Sequence, residues 1–268
     1  MTLQDARALL AALRPPESRP GRVELQMDGP VAHLRLDNPG SRSAMTLAMM
    51  VQLADAVEAL GAFSGGVVVV SSTDPRAFCS GGHLADVTRA IDSPARAEQM
   101  FESMSCVLGT LSALPVISVA ALDGLALGGG AELAAACDWR VVGPSGSMHF
   151  VHARLGIAPG WGGTERLTAL LGRRSALEVL ARAASIGPQE GVALGLFDAV
   201  CTGEAVAGAL AWLAPILAHP PAALRAVKAQ IVAATAGDRA AAAAAFAGVW
   251  GAADHQAALD RLARHRDR

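Results

Sequence analysis

The chain has 268 residues, 52% of them hydrophobic, which is enough to bury one large core and suits one large domain, or one with an appendage, better than two equal halves. A formal net charge of -2 with no Lys/Arg run argues against nucleic-acid binding, and no apolar segment reaches about 18 residues free of charge or proline, which excludes a transmembrane helix. Cys79, Cys106, Cys137 and Cys201 form no CxxC pair, which points to a reducing, cytoplasmic address and away from a metal site.

The N-terminal stretch MTLQDARALLAALRPPESRPG has helical periodicity with Asp5 and Arg7 inside it, and lacks the layout of a cleaved signal. Two short strands follow, RVELQMDG and VAHLRLD, split by the turn former Asp28-Gly29-Pro30. Residues 45 to 60 repeat apolar side chains at helical spacing. GGVVVVSS is a buried strand entering the loop TDPRAFCSGGHL, and a long helix is predicted from Pro94 to Ala113. The order then recurs with the strand VISVAAL, the turn Asp123-Gly124, the run LALGGG and a helix.

Strands alternating with helices predict an α/β core whose strands are buried on both faces. The two units form a weak internal repeat, with Gly82 and Gly129 in corresponding places. From about residue 174 the pattern reads as almost wholly helical and rich in alanine. We therefore divide the chain into a core over 1–199 and a helical oligomerisation region over 200–268. A codon bias, also suggested by the single lysine Lys228, explains the alanines but not the apolar stripes.

Glycines at a strand-to-helix junction let the backbone turn tightly, while the helix that follows aims its unpaired N–H groups and positive dipole end at the same spot. Two such loops, Ser80-Gly81-Gly82 and Gly128-Gly129-Gly130, are placed to give one N–H each to a single developing anion. Taken alone, the second loop is explained equally well by close packing of helix on strand. Neither loop continues as a phosphate loop, a dinucleotide fingerprint or a serine nucleophile elbow.

The segments RAFCSGGHL, ALPVISVAALDGLALGGGAELAAACDWRVV and GIAPGWGGTERL, in that order, resemble the crotonase, or enoyl-CoA hydratase/isomerase, superfamily from about residue 22 to 250. The resemblance implies a spiral of ββα units with a C-terminal helical trimerisation region. It implies acyl-CoA thioester substrates, assembly as a homotrimer or a hexamer of two trimers, and no cofactor beyond the coenzyme A that enters with the substrate. It further implies that the amides of Gly82 and Gly129 hold a thioester enolate. NPGSRSAM is similar to the family's CoA-contacting element, placing Arg42 and Ala44 near coenzyme A, with Ser43 departing from the usual asparagine. Ser80, Leu84 and Trp161 are then expected to line the acyl pocket, although a tryptophan is more often simply core.

Glu132 matches the first of the family's two hydratase glutamates; without the family, it reads as a carboxylate complementing a helix N-terminus. The second glutamate is replaced by His152 in MHFVHARLGIAPGWGGTERL. A hydratase divides acid and base work between two carboxylates. A malonyl-type thioester needs only enolate stabilisation and a proton donor, because loss of carbon dioxide itself generates the enolate. The expected activity is therefore a lyase that decarboxylates a malonyl-type CoA thioester; FVH and WGGTERL, with FCSG, ISVA, GGGAEL and a late VWG at 249–251, resemble those family members that act on short ethylmalonyl- and methylmalonyl-CoA. The proton comes from His152, or from Glu132 in the neutral form that burial favours. An enoyl-CoA hydratase/isomerase and a non-catalytic acyl-CoA-binding trimer are the alternatives. His83 is a second departure, either another proton donor or a loop histidine capping a backbone group. His149 and His152, three apart on a predicted strand, point to opposite faces, which disfavours a metal.

Overall fold

The computed structural model describes residues 1–13 and 21–266, so the end of the N-terminal stretch lies outside the described residues. Helix α1 (Leu3–Leu13) buries Ala6, Leu10 and Leu13, and leads to the hairpin β1 (Arg22–Asp28) and β2 (Val31–Asp37), which turns at Gly29 with φ +60°. Helix α2 (Leu47–Gly61) starts at Thr46, whose side chain accepts the amide of Met49.

The middle of the chain is three turns of strand, strand and helix. The first is β3 (Val67–Ser72), β4 (Ala77–Cys79) and α3 (Leu84–Ala90), followed by the long α4 (Pro94–Ala113), which begins at Ser93 with Pro94 in its first turn. The second is β5 (Ile117–Leu122), β6 (Leu125–Leu127) and α5 (Gly129–Ala136). The third is β7 (Trp139–Val142), β8 (Ser147–His149), a 3-10 turn (Val151–Leu155) and α6 (Gly163–Ala181), which breaks at Gly172. The first strand of each turn joins a six-stranded sheet of order β1-β2-β3-β5-β7-β10, and the second strand joins a four-stranded sheet of order β4-β6-β8-β9. The ββα spiral expected from the sequence is present.

Side-chain alternation explains the layering. In β3, Val68 and Val70 enter the main core beneath α2 and α4, while Val67 and Val69 face a second apolar layer with Ile117, Val119, Ala205, Ala209 and Leu213. That second layer is closed by α8 (Ala205–Leu217), the first long helix of the C-terminal region. Before it come β9 (Ser185–Ile186), α7 (Pro188–Leu194) and β10 (Ala199–Val200). After it come α9 (Pro221–Thr235), α10 (Arg239–Ala247) and α11 (Ala253–Arg266).

Three local expectations need correction. The loop TDPRAFCSGGHL contains β4 and runs into α3, because β4 has a partner in β6 that only the second turn of the spiral supplies. The region beyond residue 174 carries β9 and β10, two-residue strands too short to leave a period; β10 pairs with β7 at the proposed boundary near residue 199. His149 and His152 do not share a strand, since β8 ends at His149 and His152 sits in the 3-10 turn.

No single helix among the described residues is long and apolar enough to cross a membrane; α8 and α9 pass only as a pair bent by 96°.

Candidate active site

The parallel pairing of β4 with β6, with Cys79 opposite Ala126, brings the ends of two neighbouring strands together. Each runs into a glycine loop and then a helix. Gly81 (φ +88°) and Gly128 (φ +54°) take conformations that L side chains rarely adopt. The loops also touch: a Cβ on Gly81 would lie 2.8 Å from the Leu127 carbonyl oxygen and 3.3 Å from the Gly129 nitrogen. Among the described residues, neither the Gly82 nor the Gly129 amide donates to an acceptor within the chain. Gly129 is the first residue of α5, so the positive end of that helix lies at the same place.

The segment expected to contact coenzyme A is stitched to the first of these loops. The Met45 amide donates to the Gly81 carbonyl at 2.7 Å and the His83 amide to the Met45 carbonyl at 2.8 Å. The Ser80 amide donates to the Arg42 carbonyl at 3.1 Å, and the Ser80 hydroxyl to the Ser41 carbonyl at 3.1 Å. Arg42 and Ser43 both have φ of 51°, strained for residues with a Cβ. Ser43 is buried against Ser72, their hydroxyls 2.6 Å apart, and the Asn38 side chain donates to the Ala44 carbonyl at 2.7 Å. Arg42 remains exposed, and Leu84, at the start of α3, is 74% exposed.

Glu132, in the first turn of α5, is almost wholly buried. Its Oε2 accepts the amides of Trp161 and Gly163, each at 2.7 Å, and its Oε1 accepts the Gly160 amide at 3.1 Å. The carboxylate thus occupies the N-terminus of α6, where a helix presents unpaired donors. The fit needs glycine at 163, because a Cβ there would lie 2.5 Å from Glu132 Cγ. His152 Nε2 lies 3.0 Å from Glu132 Oε1 and 3.8 Å from where a Cβ on Gly128 would stand. Sequence proximity does not pair Glu132 with His152; the spiral does, by laying its second and third turns side by side.

Trp161 is buried, and its indole packs on both glycines. Three ring atoms lie 2.7 to 2.8 Å from an ideal Cβ on Gly129, and another lies 3.8 Å from one on Gly82. Arg166 was not singled out in the sequence. It donates to the Trp161 carbonyl at 2.6 Å and to the Ser105 carbonyl at 3.0 Å, so it holds the loop from the other side. Burial pulls its guanidinium below the usual range, against the opposing pull of Glu132 and Glu165. A polar TERL at a helix start was the available signal.

His83 Nδ1 lies 3.3 Å from Asp86 Oδ1 but has no hydrogen-bond partner among the described residues, and its side chain makes no capping hydrogen bond at the start of α3. His149 hydrogen-bonds the hydroxyls of Ser147 and Ser185, both at 2.8 Å. Among the described residues, no three His, Cys, Asp or Glu side chains are grouped to hold a metal ion.

The chain matches the enoyl-CoA hydratase/isomerase family model over residues 26–259, and it belongs to that family. Solved structures agree with the fold. An enoyl-CoA hydratase from Bacillus anthracis superposes with a TM-score of 0.80 at 25% identity, over 91% of this chain and 96% of that one. One from Geobacillus kaustophilus gives 0.83 at 21% identity, over 92% and 95%. Among curated relatives, ethylmalonyl-CoA decarboxylase from Danio rerio is 39% identical over 79% of this chain and 72% of its own length. The Homo sapiens ethylmalonyl-CoA decarboxylase is 33% identical over 78% and 69%. The chain is therefore a crotonase-family enzyme, with relatives named as carboxy-lyases.

Proposed function

We propose that this enzyme decarboxylates a short malonyl-type CoA thioester such as ethylmalonyl- or methylmalonyl-CoA. The observation that carries the proposal is the partner of Glu132, a buried imidazole 3.0 Å away where a hydratase would need a second carboxylate. In this reaction the Gly82 and Gly129 amides receive the thioester oxygen, on which negative charge grows as carbon dioxide leaves. Losing one such donor typically costs roughly a hundred- to a thousand-fold in rate. The Trp161 indole walls the acyl pocket beside Leu84 and Ser80, and Arg42 and Ala44 meet coenzyme A. Protonation of the enolate falls to the Glu132–His152 pair.

The names of the curated relatives support this reading. The names of the solved neighbours favour a second, enoyl-CoA hydration. Exposed Val227, Ile231, Phe246, Trp250 and Leu262 on and between α9, α10 and α11 are the surface on which we expect a homotrimer, or a hexamer of two trimers, to form. Four unpaired thiols suit a cytoplasmic address.

A mass-spectrometric time course with methylmalonyl-CoA, ethylmalonyl-CoA and crotonyl-CoA tests the proposal. Loss of carbon dioxide from a malonyl-type thioester with crotonyl-CoA untouched is the expected result. Hydration of crotonyl-CoA alone establishes the second reading, and tight binding without turnover of any thioester means the fold has outlived its chemistry.

A further inference from the structure

Resting on the decarboxylase reading, we propose that Trp161 limits the size of the group on C2 of the substrate, and that Glu132 and Arg166 make that limit rigid by holding its backbone. The two residues whose amides receive the thioester oxygen share one neighbour. Ring atoms of Trp161 lie 2.7 to 2.8 Å from an ideal Cβ on Gly129, and another lies 3.8 Å from one on Gly82. A Cβ stands two bonds from its own amide nitrogen, so the indole comes within about 6 Å of the Gly129 nitrogen and about 7 Å of the Gly82 nitrogen. C2 of the thioester is itself two bonds from the oxygen that those amides hold. A substituent on C2 therefore starts within a few bond lengths of the indole.

A wall selects by size only if it cannot move. Residues 159 to 163 read PGWGG, and glycines on both sides would leave a tryptophan free to swing. Both of its peptide groups are held instead. The Trp161 amide donates to Glu132 Oε2 at 2.7 Å, and the Trp161 carbonyl accepts from Arg166 at 2.6 Å. Glu132 also takes the amides of Gly160 and Gly163, at 3.1 and 2.7 Å, and Arg166 is itself anchored on the Ser105 carbonyl of α4 at 3.0 Å. Hydrogen bonds to charged partners are the stronger kind. With its backbone fixed, the indole has only two side-chain torsions left, and it is buried within the main core, where Val87 and Met50 meet the same Gly82 position at 2.9 and 3.8 Å. Leu84, the other apolar side chain expected in the pocket, is 74% exposed and has room to turn away, so it does not set the limit.

The substrate class follows. Malonyl thioesters with hydrogen, methyl or ethyl on C2 fit beside the ring, and longer alkyl chains collide with it. One methylene in an apolar pocket typically changes kcat/KM by about 10- to 200-fold. Glu132 and Arg166 act on this selection through Trp161, as positioning residues.

The test measures carbon dioxide release from methyl-, ethyl-, propyl- and butylmalonyl-CoA, each offered alone, and compares kcat/KM across the series. Wild type is expected to fall by about 10-fold or more for each methylene beyond ethyl. Trp161→Ala should raise the butyl-to-ethyl ratio by about 10-fold or more, and Trp161→Phe by less. Arg166→Met keeps the indole but frees the Trp161 carbonyl, and should move the ratio in the same direction; Arg166→Lys, which keeps a donor, should move it less. Loss of structure alone lowers every substrate together and leaves the ratio where it was. A wild-type enzyme that takes butylmalonyl-CoA as readily as ethylmalonyl-CoA, or a ratio unmoved in the folded Trp161 and Arg166→Met variants, overturns the proposal while leaving the decarboxylase reading intact. Should Trp161→Ala not fold, Trp161→Phe and Arg166→Met still decide. A wild-type enzyme that decarboxylates none of the series removes that reading, and the proposal with it.

Discussion

At the scale of single residues, packing separates groups that composition treats alike. Four cysteines occur in the sequence, and burial pushes two of them, Cys79 and Cys137, up to about 12, so neither is a thiolate at neutral pH. Cys106 and Cys201 are part-exposed. Iodoacetamide applied to the native protein should therefore label Cys106 and Cys201 and spare the other two until denaturant is added; intact-protein mass spectrometry reads the count. The same logic governs what was legible beforehand. Gly82, Gly129 and Glu132 stood out because their types and spacing are unusual. The tie between Glu132 and the amides of residues 160, 161 and 163 did not, because any residue but proline carries such an amide. His152 was visible only as a replacement, and its partner only once the spiral had been wound.

At the scale of elements, the chain's single lysine shows how the C-terminal helices are held to the core. Lys228, buried on α9, pairs with Asp138 just before β7, and Asp138 also accepts the Ser118 amide and hydroxyl of β5 at 2.8 and 3.0 Å. One carboxylate thus joins two strands of the large sheet to a helix ninety residues further on. Lys228→Ala leaves Asp138 without its cation, and we expect a loss of about 3 kcal/mol, the low end for a broken buried pair because Asp138 retains some solvent. Urea unfolding measures it. Long elements such as α2, α4, β3 and β5 could be read from periodicity and caps. β4, β9 and β10 could not, since two or three residues form a strand only when a distant partner offers a free edge.

At the scale of the whole molecule, titration of half-buried histidines sets how stability responds to acid. Burial, helped by Arg35 and Arg154 respectively, holds His33 and His149 below the ordinary value of 6.5. The unfolded chain then binds protons at a higher pH than the folded one. Their contribution is full above that value and is lost as pH falls through the folded values. Burial raises Asp123, which works in the opposite sense and from the carboxylate range upward. Melting temperature should therefore fall between about pH 7 and pH 5, with a shallower slope in His33→Gln and His149→Gln. Differential scanning calorimetry across that range checks both.

The pairing of β4 with β6 has a consequence for how such a site can change its chemistry. The two glycine loops leave the ends of adjacent, hydrogen-bonded strands, so a ladder spacing of roughly 4.8 Å sets how close together they start, and no residue at position 152 takes part in that pairing. The imidazole arrives separately, on the following turn of the spiral. The scaffold therefore divides its labour as a vice does from the tool working beside it. The jaws keep their gap whatever sits at position 152, and a single codon can exchange the tool without loosening the grip.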